Sequence, residues 1–181
     1  MSRPRESPRK RSRAAALQVL FSLEFSAHPA ASAVDEETPE GLDAPPSAAP
    51  APEEVAPDPG ADLARAQLAF DEVGAHFELP EGARAFAKEL VFGVVRARGE
   101  LDALIAEHAR NWRVERMASV DRNVLRVGVY ELLHGDAPAA VVIDEAVELA
   151  RRFSGDRSPA FVNGVLDAVS SVVRPPEEAA R

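Results

Sequence analysis

Four histidines, His28, His76, His108 and His134, are the first residues to weigh for chemistry, because imidazole serves both acid–base and metal roles. No two have the i, i+4 spacing that sets a pair of ligands on one helix face, so they predict no metal site. Glu145 and Glu148 stand three apart in a helical pattern. A di-metal bundle site would also need a histidine partner and a second carboxylate pair on a facing helix, and the pattern supplies neither. Asp144, Glu145 and Glu148 read instead as surface acids suited to the early turns of a helix. Ser154, Ser158 and Ser170 lack the G-x-S-x-G setting of a hydrolase nucleophile. Cysteine is absent, which excludes thiolate nucleophiles, disulfides and cysteine metal sites. Gly93 to Gly99 lacks the spacing of a phosphate loop. No catalytic residue, metal or cofactor is expected.

The remaining chemistry is electrostatic. Arg9, Lys10, Arg11 and Arg13 crowd into five positions. Such a run is either a solvated tail or a contact for nucleic acid, where each cation at a phosphate releases counterions and arginine forks grip phosphate or stack on bases. The net charge of -9 conceals segregation. Residues 1–26 carry six basic and two acidic side chains, a net of +4. Residues 27–60 carry eight acids and no base, a net of -8. A basic tip on an acidic chain predicts an anionic partner at one place.

The elements that must position this tip read as helices. Residues 1–12 hold two prolines and little apolar content, which predicts a disordered basic tail. Arg13 to Ser26 reads as a first helix with Leu17, Phe21 and Phe25 on its core stripe and Gln18 off it. Residues 27–60 hold eight prolines and predict a disordered acidic insertion, either inert or able to fold back on the basic tip. Ala61 to Phe77 and Glu81 to His108 follow as helices, the second with a break or kink near Gly99. Trp112 is expected at a seam between elements. Three further helical patterns fill Ser119 to Val173. Asp136 is the expected cap of the middle one, with Pro138 in its first turn, and a left-handed Gly155 its expected end. Ser158-Pro159 opens the last. Asn163, set among apolar residues, predicts a partly buried amide, and Gly164 a close helix contact. Residues 175–181 read as a loose tail after Arg174. No apolar run is long enough to span a bilayer, and no secretory signal core follows the basic start.

The runs Asp121-Arg122-Asn123-Val124-Leu125-Arg126, Tyr130-Glu131-Leu132, Val142-Ile143-Asp144-Glu145-Ala146-Val147-Glu148-Leu149-Ala150 and Phe161-Val162-Asn163-Gly164-Val165-Leu166-Asp167 resemble the NusB family of bacterial transcription antitermination factors. Arg13 to Phe21 resembles the family's opening helix, and Glu89 to Val94 with Leu101-Asp102 its third. The resemblance implies an all-α NusB-like fold of six or seven helices in two three-helix bundles. It implies a cytoplasmic protein that binds boxA-type single-stranded RNA together with NusE, a small-subunit ribosomal protein. That assembly belongs to the RNA polymerase antitermination complex on ribosomal RNA operons. Carried over, the RNA contacts fall on Arg9, Lys10, Arg11, Arg13, Gln18, Arg157 and Phe161, and the NusE contacts on Phe21 and Asp121. Phe153 and Phe161 are each open to a core or an RNA-facing role, with core favoured for Phe153. Phe21 stands where tyrosine is frequent in the family, so a hydroxyl contact would be missing. The insertion is longer than the family's usual connector.

Two other readings stay open, namely the NusB-like module of a ribosomal RNA cytosine methyltransferase and a helical adaptor that binds protein alone. The methyltransferase needs a cysteine nucleophile and a Rossmann-like cofactor domain, and this chain has no cysteine. Both a monomer and a homodimer are compatible with the family. Arg157 stands where relatives can carry an acid, so Arg157→Asp should weaken RNA binding in a salt-dependent titration, and an unchanged affinity would remove Arg157 from the interface.

Overall fold

Ser7 and Pro8 start the first helix five residues before the periodicity suggests. A computed structural model describes residues 7–27, 59–76, 79, 81–109 and 113–175. Helix α1 runs Pro8–Ala27. The Ser7 hydroxyl accepts a hydrogen bond from the Lys10 amide at 3.2 Å, and the Arg11 amide donates to the Ser7 carbonyl at 3.1 Å. This is an N-cap serine with proline in the first turn. The basic residues are therefore helical, and the predicted disordered tail 1–12 is corrected from Pro8 onward.

The other helices are α2 (Pro59–His76), α3 (Glu81–His108), α4 (Ser119–His134), α5 (Ala139–Phe153) and α6 (Ser158–Val173), with a 3-10 turn at Val114–Arg116. The described residues thus hold six α-helices and no strand. Helices α1, α2 and α3 pack mutually, as do α4, α5 and α6. Helix α4 also packs on α1 and α3, and α3 on α6, so the two three-helix groups share one core. Most of the expected insertion, the expected seam residue Trp112 and residues 176–181 lie outside the described residues.

Helix α4 explains the joint. Asn123 to Val129 are all buried, with Glu131 and Leu132. A helix buried on every side is a core helix and not a surface one. Gly128 and Gly93 let neighbours approach it. A Cβ on Gly128 would stand 2.8 Å from Leu166 Cδ1, and one on Gly93 would stand 2.1 Å from the Tyr130 ring. Helix α3 is continuous through Gly93 and Gly99, so the expected break is absent.

Several local expectations need correcting. Asp136 is not the cap of α5. Pro138 is, with φ -54° and ψ 143° and no side-chain bond. Gly155 does not take a left-handed φ, and Ser154 ends α5 in extended conformation. Asn163 is exposed and donates to Asp167 Oδ2 at 2.9 Å, while the buried amide is Asn123. Gly164 faces open space and makes no close helix contact. Arg174 is engaged. Its guanidinium donates to the carbonyls of Leu132 at 2.6 Å, Ala137 at 2.6 Å and Glu131 at 3.0 Å, and to that of Gly135. It closes the α4–α5 turn by satisfying carbonyls that a helix end leaves free.

The two glycine classes separate experimentally. Gly93→Ala should lower unfolding free energy by about 1–3 kcal/mol in urea titration, because the Tyr130 ring must move. Gly164→Ala should leave it unchanged or raise it by up to about 1 kcal/mol, because alanine orders a helix at lower entropic cost.

Candidate nucleic-acid interface

The basic run is divided by the helix it lies on. Arg9 is exposed, with its guanidinium carbon 4.6 Å from the Phe86 ring centroid. The Lys10 ammonium is 3.4 Å from Glu148 and remains part-exposed, as does Arg11. Arg13 is only 3% exposed. Its Nε and Nη2 each donate at 2.7 Å to the two carboxylate oxygens of Glu131, which is also 3% exposed, and Nη1 lies 3.5 Å from Glu145. Arg13 was expected on the RNA surface, and the structure sets it inside. One turn deeper than Arg9, it reaches the interface of α1 with α4, where a bidentate carboxylate neutralises it.

The outer stripe of α1 carries the other expected residues. Arg11, Ala14, Gln18 and Phe21 follow at spacings of three, four and three, and Gln18 and Phe21 are exposed, Phe21 to 42%. The core face of α1 is formed by Ala15, Ala16, Val19 and Leu20 with Leu17. Phe21 therefore leaves the core stripe that periodicity assigned it.

The remaining site residues gather elsewhere. Asp121, in the first turn of α4, accepts from Ser154 Oγ at 2.6 Å and from Ser158 Oγ at 2.8 Å, and the two hydroxyls are 3.0 Å apart. This latch ties the α5–α6 loop to α4 and holds the exposed Arg157 between its two serines. Phe161 and Phe153 are half-buried, and the Arg152 guanidinium lies 5.0 Å from the Phe153 centroid. Asp121 precedes Glu131 by ten positions on α4, about 15 Å along the axis. The α1 tip and the Arg157 loop are thus two clusters rather than one. Glu148 links them partway, because it pairs with Lys10 and, at 3.3 Å, with Arg151 on the outer edge of α5.

A second buried network went unforeseen. Glu24, near the end of α1, pairs with Arg122 at 2.7 Å and with Arg126. Arg126 in turn makes two 2.7 Å bonds to Asp102 of α3 and one of 3.2 Å to Asn123. Burial alone would raise the Glu24 pKa. The Arg122 hydrogen bond and the charges of Arg126 and Arg122 outweigh it and hold the carboxyl below its ordinary 4.5. Among the described residues no group of three or more His, Asp or Glu is arranged to hold a metal, and no helix is long and apolar enough to cross a membrane.

Known proteins resemble this arrangement. A family model described as the NusB family matches residues 54–171. A protein named transcription antitermination protein NusB from Solibacter usitatus is 50% identical over 112 residues, 59% of this chain and 76% of the relative. The protein of that name from Sorangium cellulosum is 53% identical over 92 residues, 50% of this chain and 65% of the relative. Among solved structures, T. maritima NusB superposes with a TM-score of 0.65 at 28% identity over 96% of each chain. A complex of antitermination factors NusB and NusE with double-stranded RNA superposes with a TM-score of 0.62 at 24% identity, a likeness of fold, over 91% of this chain and 97% of the other. The family model leaves α1 outside its match.

The lowered Glu24 pKa fixes a direction for acid unfolding. A carboxyl whose folded-state pKa is depressed contributes stability above its unfolded pKa and loses that contribution as pH falls through the folded value. Stability measured by urea titration should therefore fall below about pH 4.5 more steeply in the wild-type chain than in Glu24→Gln. At neutral pH, Glu131→Ala should destabilise by about 3–5 kcal/mol, since it strands the buried Arg13 charge.

Proposed function

The chain belongs to the NusB family, a family of transcription antitermination proteins and not of enzymes, and from that premise we propose that it is an antitermination factor that binds boxA-type single-stranded RNA together with NusE and supports transcription of ribosomal RNA operons. The observation that carries the reading is the exposed polar and basic side chains of the N-terminal half of α1. Arg9 and Gln18 are exposed and Lys10 and Arg11 part-exposed, all along two and a half turns of one helix. Positive side chains there meet the N-terminal end of the helix macrodipole, which also favours a polyanion. Phosphate contacts would set the register of the strand, and Gln18 could read base edges.

Phe21 fits the NusE contact better than it fits a core. An exposed aromatic is a favourable anchor for a protein partner. Asp121 would meet NusE only through the acceptor capacity its two serine bonds leave unused, and its latch steadies Arg157 and Phe161 for RNA. The solved complex of antitermination factors NusB and NusE with double-stranded RNA shows a protein of this fold assembled with both kinds of partner. In this reading Arg13 acts from inside, by fixing the helix that carries its neighbours. The protein works in the cytoplasm within the RNA polymerase antitermination complex, as a monomer or homodimer.

The adaptor reading is separated by titrating labelled boxA-type RNA, with and without NusE, at two salt concentrations. Replacing Arg9, Lys10 and Arg11 by alanine together should weaken RNA binding and lower the slope of log affinity against log salt by about 0.7 for each phosphate left without its cation. Unchanged affinity and slope, with NusE binding intact, would overturn the RNA reading and favour a protein-only adaptor.

A further inference from the structure

The first two turns of α1 form a helix end, which ordinarily frays. Here it is fastened to α3 by three contacts. Ser12 Oγ, fully buried, lies 2.7 Å from the Ala83 carbonyl and 2.9 Å from the Pro8 carbonyl. The Arg9 guanidinium carbon sits 4.6 Å from the Phe86 centroid, and that of Arg13 5.6 Å from the same ring. Phe86 lies one turn after Ala83 on α3, and Arg9 one turn before Arg13 on α1, so the two helices meet side chain to side chain over two turns. Arg13 is immobilised by Glu131, and Arg9 lies on the same ring with its charge still exposed to solvent.

We propose that Phe86 is a positioning residue for RNA, a half-buried ring that holds the Arg9 guanidinium in place before the strand arrives. The proposal rests on the RNA reading above. A free arginine loses most of its rotamer freedom when it grips a phosphate or stacks on a base. An arginine already resting on an aromatic face has lost part of that freedom in the unbound protein, and the electrostatic attraction of ring for cation leaves the charge available outward. The ring itself does not touch RNA in this role; it acts through Arg9.

The test is a double-mutant cycle on the full chain with labelled boxA-type RNA, using Phe86→Leu, Phe86→Tyr, Arg9→Gln and the Phe86→Leu/Arg9→Gln double variant. Phe86→Leu is expected to weaken binding by about two- to five-fold, the range an exposed cation–π contact supports, while Phe86→Tyr stays within about two-fold of wild type. In the Arg9→Gln background, Phe86→Leu is expected to change nothing further. A purely structural ring would weaken binding equally in both backgrounds, and that result overturns the proposal, as does a Phe86→Leu variant with wild-type affinity. A second readout needs no RNA. Nitrogen-15 relaxation at Arg9 Nε should report an ordered side chain in the wild type and a mobile one in Phe86→Leu. Full mobility at Arg9 in the wild-type chain overturns the proposal even if Phe86→Leu fails to fold. A wild-type chain that binds no RNA while Arg9 is ordered overturns the RNA reading of the preceding section and this role with it.

Discussion

The Arg13–Glu131 pair is the constraint on which the arrangement of this protein depends. Two opposite charges, each nearly without solvent, face each other through two 2.7 Å hydrogen bonds. Removing them from water is costly, and the bidentate geometry offsets that cost only while both are present and aligned. The pair therefore disfavours any sliding or rotation of α1 against α4. Helix α1 is held a second time at its other end, where Glu24 meets Arg122 and Arg126. Between the two ion pairs lie the apolar contacts of Ala16, Val19 and Leu20. Hydrophobic burial supplies adhesion without direction, whereas the two charged ties select one register and one orientation.

That register decides which cations face out. With Arg13 turned inward, Arg11, Gln18 and Phe21 form the outer stripe, and Arg9, one turn before Arg13, stays exposed at the end of the helix. An acidic protein thereby keeps a local positive edge at a helix N-terminus, where dipole and side chains have the same sign. The same economy recurs at the opposite end of α4. There Asp121 is engaged with two serines, and the loop it holds leaves Arg157 exposed. At each end a buried or half-buried carboxylate organises the frame, and a neighbouring cation remains at the surface.

Helical architecture was legible because apolar periodicity is a local property, and the six α-helices follow the periodic stretches with small shifts at their ends. The early start of α1 was also written locally: Ser7-Pro8 carries the same signal as Ser158-Pro159, but the density of charge around it suggested a tail. The partners of the charges were not legible. Arg13 and Glu131 are 118 positions apart, and nothing in either neighbourhood marks them as a pair. The same limit misassigned Phe21, which shares an apolar stripe with the buried Leu17 by sequence yet is itself exposed once Arg13 sets the rotation of α1. Asn123 rather than Asn163, and Gly93 and Gly128 rather than Gly164, proved to be the close-packed positions. All three lie on α3 or α4, the helices that meet at the centre, and which helix is central is a property of the assembled fold.

The most direct measurement of the central claim removes the buried pair without stranding a charge. An Arg13→Met/Glu131→Leu chain replaces two neutralised charges with apolar groups of similar volume, a change that buried pairs often tolerate. If Arg13 acts only inside the fold, this double variant should fold and keep the wild-type salt slope, because no phosphate loses a cation, and any affinity lost measures the register that the pair selected. A folded double variant whose slope of log affinity against log salt drops by about 0.7 would show Arg13 on a phosphate, and would contradict the account.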